Sequence, residues 1–156
     1  MGQWAGGFMK CIHARLHEMS MDVFVRKRFM ISARCLLSIA AFSGFVSVAL
    51  GAFGAHFLKS RLDSYSIGVF QTGIEYQFYH TFAVALVGML SLRVNNSLLQ
   101  MSGVSFLLGI LFFSLSLYLL ALTQLKWLGA ITPIGGLFFL MGWVLLFVSV
   151  LRSNRS

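Results

Sequence analysis

A group of polar side chains at the start of an apolar segment offers the best candidates for chemistry in this sequence. Thr72, Tyr76 and His80 recur every four residues, so a helix would carry all three on one face. Two further polar residues stand among them, and a histidine closes the apolar run that comes before. We therefore predict a polar pocket lined by His56, Thr72, Glu75, Tyr76, Gln77 and His80.

The two histidines of this set could bind haem or a metal ion, because neutral imidazole is a common ligand. In a helix that starts at Gly73, His80 would lie about 10 Å below the surface at which His56 is placed, so the rings could face each other. No other residue completes a ligand set, and we expect no metal and no cofactor. We favour hydrogen bonds that hold the helices together, and a site for a small polar molecule or a proton is the alternative.

Glu75 is the only carboxylate expected at the membrane edge of a helix. Ionisable groups in membrane segments are costly, which makes each of them a candidate for function. An ion pair with Lys59 or Arg61 at the outer rim is the favoured interpretation. If Glu75 instead faces inward beside His80, a proton relay is the alternative.

An enzyme is not expected, because the sequence has few groups for general acid-base catalysis. It contains no nucleophile elbow, phosphate-binding loop, zinc-protease motif or CxxC pair. His13 and His17 have the spacing of a helical zinc pair beside Cys11, but no further ligand follows and a solvated tail is favoured. The chain has only four carboxylates: Glu18, Asp22, Asp63 and Glu75.

Composition assigns most of the chain to a lipid environment. Of its 156 residues, 58% are apolar and only 10% are charged, against roughly 25% charged in soluble domains. The apolar runs are continuous rather than alternating, which favours helices over a β-barrel. We predict an all-α polytopic membrane protein, a compact bundle of four transmembrane helices over residues 31–57, 73–92, 98–121 and 127–151. A short interfacial helix is predicted over Ser64–Phe70.

Residues 1–29 form a separate region, a basic N-terminal tail that we expect to be disordered or to lie at the membrane surface, before a transmembrane domain over residues 30–156. Six of the twelve Lys and Arg residues fall between Lys10 and Arg34, a distribution that fits attraction to anionic lipid rather than to nucleic acid. Lys and Arg number nine on the inner segments and three on the outer loops, so both termini are predicted to be cytoplasmic. Without the residues before Met30 the ratio falls to four against three.

Small residues recur along the first predicted span at intervals of 4, 3, 4 and 3. Such a seam lets helix backbones approach closely in a membrane. On this basis Gly51→Leu would destabilise the bundle by about a few kcal/mol. The predicted helix-packing residues are Ala40, Gly44, Ser47, Gly51, Gly54, Gly135 and Gly136.

Five segments in order resemble one family of small membrane proteins. They are Ala49-Leu50-Gly51-Ala52-Phe53-Gly54-Ala55-His56, Phe70-Gln71-Thr72-Gly73, Tyr76-Gln77-Phe78-Tyr79-His80, Ser116-Leu117-Tyr118 and Leu128-Gly129-Ala130-Ile131-Thr132-Pro133-Ile134-Gly135-Gly136. Residues 30–151 thereby resemble the YgdD/YwdK-like inner-membrane proteins, domain-of-unknown-function family 423, with eukaryotic transmembrane protein 256 as a distant relative. The resemblance implies four transmembrane helices in a bacterial cytoplasmic membrane and no established activity. Thr81 departs from the alanine more usual in the family and would add a hydroxyl to a helix contact.

Two functions follow as hypotheses. The first is a non-enzymatic packing or accessory protein that associates with itself or with a larger membrane complex, as the small-residue seam indicates. The second is a binding or transport module for a small molecule or a proton, with its polar pocket near the outer face. The expected partners are the lipid bilayer and a second copy or a larger membrane complex.

Overall fold

The computed structural model describes residues 32–94 and 96–153, and every regular element in these ranges is helical. This confirms the all-α class. The helices are α1 (Ala33–His56), α2 (Ser64–Ser91), α3 (Ser97–Gly109), α4 (Leu115–Thr123) and α5 (Thr132–Ser153). The predicted tail, with the pair His13 and His17, lies outside the described residues.

Polar side chains fix where the first three helices begin. The Oγ of Ser32 accepts a hydrogen bond from the backbone N–H of Cys35, and the side chain of Asn96 does the same for Leu98. Asp63 caps α2, its Oδ1 lying 2.7 Å from the backbone nitrogen of Ser66. Hydrogen bonds from the side chain and then the backbone of Ser66 lower the pKa of Asp63, so the cap is ionised at neutral pH.

The second helix differs from the prediction at its start. The prediction of a short helix over Ser64–Phe70 and a separate span from Gly73 is wrong, because α2 runs without a break for 28 residues. Neither a proline nor a charged turn interrupts this stretch, and Gly73 is held in the helix beneath Tyr118. A Cβ at Gly73 would meet the Cε1 of Tyr118 at 2.8 Å. His80 consequently lies sixteen residues into its helix instead of seven.

The third and fourth apolar segments also carry irregular turns. A π-helical segment, Ile110–Ser114, joins α3 to α4, so that Ser97–Thr123 forms one continuous helical rod, which we call the third rod because it follows α1 and α2. The last helix starts at Thr132 rather than at Trp127, because a 3-10 helix, Lys126–Ala130, comes first. Pro133 is then the second residue of α5, where its missing N–H costs no intrahelical hydrogen bond.

Sequential rods pack antiparallel. Ser43 of α1 lies opposite Thr81 of α2, and Gly54 lies opposite Phe70. The same arrangement relates α2 to the third rod, which in turn packs antiparallel on α5. The core is closed by fully buried apolar side chains from α1, α2 and α3, among them Leu36, Val84, Val87 and Phe106.

Three helical segments are long and apolar enough to cross a membrane: Ala33–Ser60, Ser97–Thr123 and Lys126–Arg152. The helix α2 is not among them, so the prediction of four spans is not confirmed. The reason lies in the middle of α2, where polar residues between Gln71 and Thr81 lower the mean hydropathy. The structure is therefore that of an all-helical membrane protein with three apolar candidate spans.

Glycines bring α5 and the third rod into close contact. A Cβ at Gly142 would lie 2.6 Å from the ring of Phe106, and one at Gly109 would strike the ring of Phe139. A Cβ at Gly135 would strike the backbone of Phe113, which belongs to the π-helical segment. These contacts let large rings of each helix lie over glycines of the other.

The predicted packing residues do not behave alike. Ala40, Ser47 and Gly54 are buried, and Gly44 is partly buried, with a Cβ position 3.7 Å from Thr81. By contrast, a Cβ at Gly51 or Gly136 would meet no atom within 4 Å. The expectation that these two glycines lie at close helix contacts is therefore wrong. Periodicity shows which residues share a helix face, but not at which of them a neighbouring helix is in contact.

Adjacent glycines provide a matched test of this packing. Gly135→Ala should lower the free energy of unfolding by about 1–3 kcal/mol, because the new methyl group collides with the Phe113 backbone. Gly136→Ala should leave stability unchanged or raise it slightly, since alanine favours the helix and meets open space. Thermal unfolding in detergent, followed by circular dichroism, compares the two. Equal losses for both variants would contradict the packing described here.

Candidate functional site

The amide of Gln77 is buried between three helices and has a hydrogen-bond partner at each end. Its Nε2 donates to the backbone oxygen of Ser43 in α1 at 3.1 Å and lies 3.3 Å from the Ser43 Oγ. The hydroxyl of Tyr118 in α4 donates to the Gln77 Oε1 at 2.7 Å. One side chain of α2 therefore ties α1 to the third rod.

Hydroxyl groups extend this network along the contact between α1 and α2. The Oγ of Ser43 and the Oγ1 of Thr81 are 2.6 Å apart, and Ser47 donates to the Ser43 backbone oxygen at 2.9 Å. Thr81 thus adds a hydroxyl to a helix contact, as the sequence predicted. We call these five residues the Gln77 network: Ser43, Ser47, Gln77, Thr81 and Tyr118.

His80 lies on a different face of α2, towards α5. Its Nδ1 is 2.8 Å from the backbone oxygen of Tyr76, and its Nε2 is 3.4 Å from the indole Nε1 of Trp143. The carbonyl can only accept and the indole can only donate, so both contacts are made together by the neutral ring with its proton on Nδ1. This tautomer is inferred from the hydrogen-bond partners.

Aromatic rings surround His80 on the remaining sides. The ring of Phe139 is stacked on it, with centroids 3.5 Å apart and planes inclined by 11°. Tyr76 in turn stacks on Phe113 of the third rod at 4.4 Å. We call this set the aromatic cluster: Tyr76, His80, Phe106, Phe113, Phe139 and Trp143. It joins α2 to α5 and to the third rod.

A groove of about 310 Å³ opens between the end of α1 and the first half of α2. Its α1 side consists of small residues, and its α2 side carries apolar side chains together with Gln71 and Glu75. The full lining is Gly51, Gly54, Ala55, Ile67, Phe70, Gln71, Ile74 and Glu75. Gly51, with open space beside its Cβ position, borders this groove rather than a neighbouring helix.

Glu75 is exposed and lies along the groove. The guanidinium of Arg61 lies over the ring of Phe57, 4.4 Å from its centroid, and Lys59 is exposed. Within the described ranges neither cation forms an ion pair with Glu75. The favoured rim pair is therefore absent here, and Glu75 lies neither beside His80 nor in the bundle interior.

The six residues of the predicted pocket are thus distributed over separate places. Gln77 is in its own network, Tyr76 and His80 are in the aromatic cluster, and Glu75 is in the groove. Thr72 donates to the backbone oxygen of Gly68. A ligand role for the whole set stays a prediction, but the structure does not gather these side chains around one cavity.

His56 and His80 do not face each other. The helix register places His80 level with Gly44, about 18 Å along α1 from His56. The prediction places the two histidines closer together because its second span begins at Gly73, nine residues after the first residue of α2. In the part of the chain that the structure describes, no three His, Cys, Asp or Glu side chains come close enough to hold a metal ion.

Sequence reasoning missed Ser43 and Trp143 as partners of the polar residues on α2. Ser43 lies between the small residues of the α1 seam, and its hydroxyl gives no periodic signal of its own. Trp143 is one of several large apolar residues in α5. Only the helix register brings each next to its partner, so neither was distinguishable beforehand.

The sequence pattern of the family described as "Protein of unknown function (DUF423)" matches residues 50–136. The chain belongs to the DUF423 family. The match covers all of α2, α3 and α4 and ends within the first turns of α5, so it includes Gln77, Tyr118 and Glu75. The resemblance seen in the sequence is confirmed.

Relatives of this DUF423 protein are named as membrane proteins. The chain is 42% identical over 126 residues to the UPF0382 inner membrane protein YgdD of Escherichia coli K12. This alignment covers 81% of this chain and 96% of the relative. It is 45% identical over 118 residues to a UPF0382 membrane protein of Haemophilus influenzae, covering 76% and 94% respectively. A UPF0382 membrane protein of Staphylococcus haemolyticus is 40% identical over 119 residues, covering 76% and 97%. No solved structure matches the chain significantly.

The Gln77 network makes a quantitative prediction for this DUF423 protein. Tyr118→Phe should lower stability by about 1 kcal/mol, because side-chain hydrogen bonds between membrane helices contribute on average about 0.6 and at most about 1.7 kcal/mol. Tyr79→Phe is the matched control, since Tyr79 is 60% exposed. Unfolding in detergent measures both changes.

A double-mutant cycle separates the hydrogen bond from the loss of packing. Combining Tyr118→Phe with Gln77→Leu should destabilise by less than the sum of the single changes, because either change alone already breaks the bond. Strict additivity would show that Tyr118 and Gln77 contribute independently and would contradict the network.

Proposed function

We propose that this DUF423 protein is a non-enzymatic accessory protein of the bacterial inner membrane that associates through α1 with a second copy of itself or with a larger membrane complex. The inner-membrane location is supported by the name of its Escherichia coli relative. The observation that carries the proposal is the uneven burial of α1. This helix packs on the bundle along one stripe and leaves most of its surface outside.

The two faces of α1 differ in residue size as well as in burial. Its buried residues are the mostly small set Leu36, Ala40, Ser43, Ser47 and Gly54. On the opposite side, Phe42, Phe45 and Val48 are 68%, 70% and 64% exposed. Of the three apolar spans, α1 is also the least buried in the bundle. A wide outer face with large side chains supports contact with another membrane helix as well as with lipid.

We further propose that α2 crosses the membrane as a fourth span. Its 28 residues correspond to about 42 Å, which exceeds the roughly 30 Å hydrocarbon core. The polar side chains that lower its hydropathy include Gln77, His80 and Thr81, and all three are buried. Because their hydrogen bonds are made inside the bundle, α2 does not present these groups to lipid.

The proposal of a non-enzymatic role rests on how the interior polar groups are used. Gln77 and His80 each have partners within the protein for the polar atoms of their side chains. Groups engaged in this way hold helices together and are not free to act on a substrate. The alternative, a small-molecule or proton binding or transport module, is supported by Glu75 in the groove rather than by one pocket around all six predicted residues.

Crosslinking tests the association through α1. In a Cys11→Ser, Cys35→Ser background, Phe45→Cys should form disulfide-linked dimers in native membranes treated with iodine, because this position lies at the proposed contact. Leu137→Cys is the control, since Leu137 is 66% exposed on α5 at a similar depth. Dimers that are missing for Phe45→Cys, or equally abundant for both variants, would contradict association with a second copy through α1.

Cytoplasmic termini are the proposed orientation. Among the described residues, three cations lie at one end of the bundle (Arg34, Arg93 and Arg152) and three at the other (Lys59, Arg61 and Lys126). The excess of Lys and Arg that favours cytoplasmic termini therefore comes from the basic tail. A C-terminal alkaline phosphatase fusion should be inactive and a fluorescent-protein fusion bright. Replacing Arg26, Lys27 and Arg28 by Gln should produce a mixed population. An active phosphatase on the unmodified chain would reverse the orientation.

A further inference from the structure

The groove between α1 and α2 combines one carboxylate with an apolar surface. Along α2, Ile67, Phe70 and Ile74 form a continuous apolar side, while Gln71 and Glu75 recur four residues apart on its edge. The α1 side has only glycine and alanine, so the space there is not filled by side chains. Its volume of about 310 Å³ is at the lower end of the range for small-molecule sites.

The depth of Glu75 makes its charge significant. The pairs Ser43–Thr81 and Gly54–Phe70 set the register, and they place Glu75 level with Ala49. That level is seven residues, or about 10 Å, from the end of α1 at His56. A carboxylate at such a depth is costly unless it is protonated or has a cation beside it.

The cations of the neighbouring turn do not meet this need. Arg61 is held over Phe57, and in the described ranges Lys59 makes no ion pair with Glu75. A divalent metal is also disfavoured, because the groove offers a single carboxylate and one amide where calcium takes six to eight oxygen ligands. The counter-charge that fits is a monovalent cation with an apolar body.

We propose that this groove binds a hydrophobic ammonium ion, a primary amine carried on an alkyl or aryl chain. The Glu75 carboxylate supplies the counter-charge, and the Gln71 side-chain oxygen is a second acceptor for the three N–H groups of the ammonium. The apolar chain of the ligand packs along Ile67, Phe70 and Ile74. The absence of a side chain at Gly51 leaves room for it, and the open space beside Gly51 is the part of the groove that a ligand occupies.

This inference rests on the alternative binding function and on α2 as a fourth span, both proposed above, and is independent of association through α1. The two are distinguishable, because crosslinking at Phe45 reports association whereas amine binding reports the groove. Loss of either result leaves the other intact.

Decylamine is the probe, titrated calorimetrically into the protein in lipid nanodiscs, with empty nanodiscs subtracted. We expect saturable binding at one site per chain. Glu75→Gln should weaken this binding about tenfold or more, because the counter-charge is lost. Asp63→Asn is the matched control, since it removes the other described carboxylate, which caps α2 outside the groove. It should bind decylamine like the unmodified protein.

Gly51→Leu tests the location independently of charge. Its side chain enters the open space of the groove, so it should abolish decylamine binding while the thermal midpoint stays close to that of the unmodified protein. Decanol and decanoate, with a chain of the same length, should bind at least about tenfold more weakly than decylamine. Three results would each overturn the proposal: no saturable binding above empty nanodiscs, equal affinity for Glu75→Gln, or equal affinity for a folded Gly51→Leu. If Glu75 is simply protonated and binds no amine, the titration will show no saturable binding above empty nanodiscs.

Discussion

The need to pair the buried amide of Gln77 governs how the first three rods are arranged. A primary amide surrounded by apolar helices must find hydrogen bonds within the protein, because lipid offers none. Gln77 meets this requirement with Ser43 on one side and Tyr118 on the other. The register of α1 against α2, and of α2 against α4, makes both contacts at once, and the hydroxyls of Ser43 and Thr81 also meet in this register.

Within the described residues, the other half of the bundle has polar pairs only near its two ends, where Asn96 donates to Ser149 and the hydroxyls of Ser116 and Thr132 lie 3.0 Å apart, and shape holds it between them. Rings of α5 and of the third rod lie over glycines of the opposite helix, as Phe139 does over Gly109 and Phe106 over Gly142. Helices can approach this closely only where one side has no Cβ. The aromatic cluster then links this half to α2 through the stacked rings of His80 and Phe139. His80 is therefore a polar residue used mainly for its flat ring and its two nitrogen contacts.

Similar glycines serve different purposes along α1. Gly54 is buried against Phe70, whereas Gly51, one turn earlier, borders open space. The difference arises because Phe70 fills the gap at its own level, while Ile74 and Glu75 leave the next level open. The small residues of α1 therefore form a helix contact at Gly54 and border a groove at Gly51. This places the carboxylate of Glu75 next to unfilled space.

The sequence by itself determined the all-helical class, the family, and the faces on which residues such as Thr72, Tyr76 and His80 recur, because helical periodicity depends only on local geometry. It also identified Thr81 as a hydroxyl at a helix contact. It did not determine that the helix predicted from Ser64 continues past Phe70 into the next apolar segment, because local patterns do not show that Tyr118 packs over Gly73. Nor could it show that His56 and His80 are far apart, that Gly51 is open, or that Gln77 rather than a histidine is the centre of the polar contacts. Each of these depends on which residues of separate helices stand at the same level. That register is set by packing between helices, and only the tertiary structure fixes it.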